Sequence, residues 1–112
     1  MGVRLALAAT LCVLSAAPSA LSQKSTADGL RDCEKLAAVK FKRENSAFKK
    51  FEIDRTGVEE DKFADKVGTQ SVSTVYHGNA VYQSSGEPDT VRFICLHGGL
   101  GNGAVFVYTL PR

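Results

Sequence analysis

His97-Gly98-Gly99-Leu100-Gly101-Asn102-Gly103 is the stretch of this chain whose residue types come nearest to a ligand loop. Glycines at 99, 101 and 103 resemble loops that lay backbone N–H groups against a phosphate. Such loops lead from a strand into a helix, whose N-terminus holds the anion. Here Val105-Phe106-Val107-Tyr108 follows, which is a strand pattern, and no Gly-Lys-Ser or Gly-Lys-Thr is present. The spacing therefore predicts a wide hairpin loop. Its ligand-facing candidates are His97, Gly98, Gly99, Gly101, Asn102 and Gly103.

The two histidines, His77 and His97, fall at predicted strand ends and are expected near solvent. A metal centre built on them needs a third ligand, for which Asp65, Glu87 and Asp89 are the candidates. Cys95 and His97 share a strand face, but a disulfide-bonded Cys95 cannot ligate. No metal site and no cofactor are assigned. The alternative that stays open is a small metal-binding protein or enzyme using His77 or His97. Nucleophilic catalysis has no visible motif: there is no G-x-S-x-G elbow and no C-x-x-C. Glu59-Glu60-Asp61 supplies adjacent carboxylates, but in a stretch expected to be a solvated turn. The expectation is a non-catalytic protein.

The cysteines carry the remaining chemistry, and the N-terminus decides their context. Residues 1–22 read as a secretory signal peptide: Arg4, an apolar run Leu5 to Leu14, and a small-residue end Ala20-Leu21-Ser22. The run is too short to span a bilayer, which takes about 20 residues. Cys12 leaves with this segment, and Leu11 before it does not suit lipidation. Cys33 and Cys95 remain, in an oxidising periplasmic or extracellular setting, and their one intramolecular pairing is the expected disulfide.

Residues 23–112 then form one small domain without a transmembrane segment. Removing Arg4 leaves 13 of the 14 Lys and Arg against 12 Asp and Glu, a balance that does not select nucleic acid. The halves differ in pattern. Ser25 to about Arg43 reads as a helix that begins at Ser25-Thr26-Ala27-Asp28, with Leu30, Cys33, Ala37 and Phe41 on one face. Phe48, Phe51 and Ile53 suit a short return strand, and Val58 to Lys66 a short acidic helical turn. Val67 to His77, Ala80 onward, Thr90 to His97 and Ala104 to Leu110 read as strands. Gly78-Asn79 is the hairpin signal between the first two. The expected fold is α+β: one N-terminal helix on a three- or four-stranded antiparallel meander, stapled by Cys33–Cys95.

Charge and aromatic residues suggest surfaces. Residues 24–50 carry eight Lys and Arg against four acids, and residues 52–66 six acids against three bases. Side by side, the stretches would screen each other. Separated, Lys35, Lys40, Lys42, Arg43, Lys49 and Lys50 would face an anionic envelope component. Tyr76, Tyr82 and Tyr108 lie on strands, and two of them on the face away from the helix would make an aromatic patch for a protein or sugar.

Asp32-Cys33-Glu34 on a helix and Val91-Arg92-Phe93-Ile94-Cys95 on a late strand resemble a group of small periplasmic bacterial proteins. These have a Cys-bearing N-terminal helix, an antiparallel sheet and a Phe-x-Cys strand. The resemblance spans roughly residues 30–110 and implies a fold and a compartment but no activity. A second comparison is with bacterial c-type lysozyme inhibitors, which are also small, exported, β-rich and disulfide-stapled. Their Ser-Gly-x-x-Tyr signature is missing, because Ser85-Gly86 is followed by Glu87, Pro88 and Asp89. The function expected is therefore binding of another macromolecule, a protein or a cell-envelope component, with hydrolase inhibition as an alternative.

Overall fold

A computed structural model describes residues 26–99 and 102–111; the signal-peptide reading of residues 1–22 and the loop residue Gly101 lie outside them. Helix α1 spans Thr26–Glu44 and buries Gly29, Leu30, Cys33, Ala37 and Phe41. Those last four positions are the face that the sequence periodicity marks. Lys42 and Arg43 sit in the last turn, where the helix dipole favours cations.

The strands are β1 (Lys50–Ile53), β2 (Glu59–Val67), β3 (Gln70–Gln83), β4 (Asp89–His97) and β5 (Ala104–Pro111). All pairings are antiparallel. β1 lies along the end of β3 and β2 along its beginning, so the two share one row. The sheet thus has four rows built from five strands: β1 and β2, then β3, β4 and β5. A short 3-10 turn at Arg55–Gly57 joins the halves of the first row. Asp54 caps that turn. The Thr56 hydroxyl and backbone N–H donate to its carboxylate and hold its carboxyl below the ordinary range.

Two local expectations are corrected. Val58 to Lys66 is not a helical turn, because its acidic run has no apolar stripe for a helix to bury. It is instead held as β2 by the backbone ladder to β3, with every side chain exposed. Gly78-Asn79 is not a hairpin either, since β3 runs straight through it. The turn is Gly68-Thr69, between the paired Val67 and Gln70, and Gly68 supplies the positive φ of 66°. Gly78 has another reason to lack a side chain. A Cβ there would sit 3.2 Å from Val58 Cα and 3.3 Å from the Gly57 carbonyl, where the β1–β2 connection crosses close to β3.

The helix packs on one face of this sheet. Phe41 meets Phe48, Phe51 and Tyr82 at centroid distances of 5.4–5.9 Å, and Phe51 meets Phe93 edge-on. Cys33 and Cys95 are fully buried and bonded, with Cα atoms 6.1 Å apart. α1 also reaches both sheet edges. Ile53 N–H on β1 donates to Glu34 Oε2 at 2.8 Å, and Lys40 Nζ donates to the Val107 carbonyl on β5 at 2.7 Å. Each contact occupies a backbone group that an edge strand would otherwise offer to another chain.

Tyr76 and Tyr82 lie on the helix side as packing residues, which leaves Tyr108 as the one tyrosine on the open face. The Tyr76 ring end fits over Gly29, where a Cβ would come within 2.7 Å of Cζ. Burial pushes the Tyr76 phenol above its ordinary value of 10.0, and the charges of Glu60 and Asp32 add to the rise. A raised phenol pKa means the folded chain holds this proton more tightly than the unfolded chain. The associated stabilisation is complete below the unfolded value and is lost as pH rises through the folded value. Tyr76→Phe is therefore expected to flatten the decline of urea midpoint at alkaline pH. Parallel declines in variant and wild type would contradict this.

Candidate functional site

Alternation along the strands sends half of the side chains to the face away from α1. Cross-strand register sets them in rows. Glu59, His77, Ile94 and Tyr108 form one row, and Asp61, Val75, Leu96 and Phe106 the next. Asn79, Arg92 and Leu110 form a third. The face is acidic over β2, aliphatic in the middle and aromatic over β5. Phe106 and Tyr108 stack with centroids 6.3 Å apart, and they are 45% and 47% exposed. Ile94 is also exposed. From beneath the β5 edge, Lys40 Nζ lies 5.0 Å from the Phe106 centroid and 5.9 Å from that of Tyr108.

Across the aliphatic centre runs a shallow groove of about 400 Å³. Val75, His77, Asn79, Arg92, Ile94 and Leu110 are among the residues that line it. His77 Nε2 is 3.0 Å from Asp61 Oδ2 and 3.8 Å from Glu59 Oε1, so the histidine and the acids of this face engage one another. Arg92, exposed on the groove, has no carboxylate partner among the described residues.

The sequence carries a signal for this face that lies outside any motif. In β4 and β5, apolar residues stand on both faces: Val91, Phe93 and Cys95 alternate with Ile94 and Leu96, and Val107 with Phe106, Tyr108 and Leu110. A strand with one solvated face shows apolar and polar residues in turn. Two apolar faces mean a sheet with more apolar surface than one helix covers.

Of the sequence candidates, His77 lies on this face, whereas the loop and His97 fall elsewhere. His97 is not near solvent but 1% exposed, on the helix side. Its Nε2 lies 2.9 Å from Asp32 Oδ2, and its Nδ1 accepts the Gly99 N–H at 2.9 Å. The proton therefore sits on Nε2 and is donated to Asp32. His77 projects from the opposite face, so one ion cannot bridge the two histidines. No cluster of three or more metal-ligating side chains occurs among the described residues. The described part of the Gly-rich loop spends its polar groups on itself. Gly98 N–H donates to the Gly103 carbonyl, Asn102 N–H to the Gly99 carbonyl and Asn102 Nδ2 to the Gly98 carbonyl. Gly99 and Gly103 supply positive φ values of 90° and 69°.

The charged stretches lie mostly towards opposite ends of the sheet, and two ion pairs join them, Lys50–Glu52 at 3.8 Å and Arg55–Glu34 at 3.0 Å. Lys49 and Lys50 lie where β1 meets the end of β3, near the last turn of α1, whereas β2 flanks the beginning of β3 and the first turn, through Thr26 and Glu60. The basic end is partly occupied: Lys40 holds β5, Lys42 donates to the Ser46 carbonyl, and Lys50 pairs with Glu52 at 3.8 Å.

The geometry defines an α+β domain with one sheet face closed by a disulfide-stapled helix and the other open. No helix among the described residues is long and apolar enough to cross a membrane. Neither the family models, nor the curated proteins, nor the solved structures compared with the chain give a match.

Proposed function

We propose that this chain is an exported, non-catalytic domain that binds another protein through the open face of its sheet. The observation that carries the reading is the cluster of Ile94, Phe106 and Tyr108, exposed together on one face beside a groove with an arginine at its side. Aromatic residues and Arg are the enriched anchors of protein interfaces, whereas Lys and Glu dominate ordinary surface. The helix supports the same reading from the other side. By occupying backbone groups on β1 and β5, Glu34 and Lys40 disfavour strand addition at those two strands. Export is supported by the N-terminal sequence pattern and by the buried Cys33–Cys95 bridge, which forms in oxidising compartments.

The test is site-specific photo-crosslinking in the native cells, with a benzophenone side chain at Tyr108 and, as control, at Lys35 on the solvent side of α1. A discrete protein adduct from position 108 and none from position 35 is expected. No adduct from 108, or the same adducts from both, overturns the reading.

A further inference from the structure

The charges on the open face specify the partner further, on the assumption that this face docks a protein. Every acid of the central rows has a partner within the chain: Asp61 and Glu59 both face His77. Arg92, the base of the third row, has no carboxylate partner among the described residues. It stands on the groove between Asn79 on β3 and Leu110 on β5, with Ile94 two residues along its own strand. No acidic side chain lies opposite it in the register. A guanidinium is a fixed fork of donors matched to a carboxylate, and it holds its charge at every physiological pH. Around it the groove offers Val75, Ile94 and Leu110, which would displace water from a docked ion pair and strengthen it.

We infer that the groove takes an acidic side chain of the partner protein, flanked by apolar residues, with its carboxylate on Arg92. The apolar flank covers Ile94 and reaches Tyr108, which lies directly across from Ile94 in the register. The partner's carboxylate completes the charge that this face leaves open. A purely apolar or a basic partner would bury Arg92 without compensation, which is costly.

The experiment uses the full chain in its native cells with the benzophenone at Tyr108, and places Arg92→Glu or Arg92→Lys beside it. Arg92→Glu is expected to lower the adduct yield by about tenfold or more, while Arg92→Lys, which keeps the charge and loses the fork, falls between it and the wild type. Arg92 is exposed, and an unchanged melting temperature of the purified variants shows that both are folded. The Arg92→Lys protein is then treated with a carbodiimide, which joins an amine to a touching carboxylate. Mass spectrometry is expected to find the substituted side chain linked to an Asp or Glu of the same partner. An undiminished adduct in Arg92→Glu, or a carbodiimide link to a second copy of this chain, overturns the inference while leaving the crosslink at 108 intact. Loss of that crosslink even with Arg92 in place overturns the broader docking reading as well.

Discussion

Replacing Cys33 and Cys95 together by alanine is expected to lower the unfolding free energy by about 4 kcal/mol. The bridge joins positions 62 residues apart, and the chain-entropy model assigns a loop of that length about this much. The loop also contains most of the fold. It runs from the second turn of α1 through β1, β2 and β3 into β4. Cutting it frees the helix from the sheet except for packing and a few polar contacts. A small single domain has a total stability of about 5–10 kcal/mol, so the variant would sit near the edge of folding at growth temperature. Both cysteines are fully buried, and alanine also leaves a void. Reduced wild-type protein separates the two effects, since it loses the tether and keeps the sulfur atoms. Urea unfolding of oxidised wild type, reduced wild type and the double variant gives the comparison. The reduced protein should carry most of the loss. A change below about 1 kcal/mol on reduction would mean that packing and the polar contacts hold α1 on the sheet without the bridge.

Which parts of this fold could be read from the residues follows from where local pattern and tertiary environment agree. The face of α1 was legible because Leu30, Cys33, Ala37 and Phe41 repeat at helical spacing and all meet the core. The Cys33–Cys95 bridge was legible by elimination, once residues 1–22 were read as an export signal. β2 was not, because its nine exposed side chains carry no alternation, and its strand state comes from β3 beside it. Gly78 misled because a glycine that lets another segment pass close looks, in sequence, like a glycine that turns the chain. The open face was half legible. Tyr76, Tyr82 and Tyr108 all read alike as strand tyrosines, and only the register separates them. Arg92 was invisible as a site residue, since its significance is the absence of an acid opposite it, which no linear pattern records. His97 was the reverse case: its type attracted attention for metal or solvent chemistry, and its environment gave it a structural task.

That task defines the second large effect. His97→Ala is expected to cost about 2–4 kcal/mol, far more than a surface substitution. Three losses combine. The ring fills a fully buried position and meets Tyr76 edge-on at 6.0 Å. The Gly99 N–H loses its acceptor, which starts the turn at the end of β4. Asp32, one residue before Cys33, loses the donor that holds it to the strand of Cys95. The two tethers are thus adjacent on both elements: Asp32-Cys33 on α1 and Cys95-x-His97 on β4. Asp32→Asn keeps an oxygen that can accept from Nε2 and is expected to cost only about 1 kcal/mol. The double variant Asp32→Asn, His97→Ala should then fall short of the sum of the single losses by at least about 0.5 kcal/mol, the coupling of groups that touch. Hydrogen exchange adds a local readout, because the Gly99 amide should lose protection in His97→Ala and keep it in Asp32→Asn. Strict additivity, or a Gly99 amide equally protected in all variants, would show that His97 only fills space. With coupling and exchange as expected, the helix is held at one point by a covalent bond and one residue away by a charge-assisted hydrogen bond. Reduction of the disulfide would then leave α1 still anchored at Asp32, so the domain could lose its bridge before it loses the geometry of the open face.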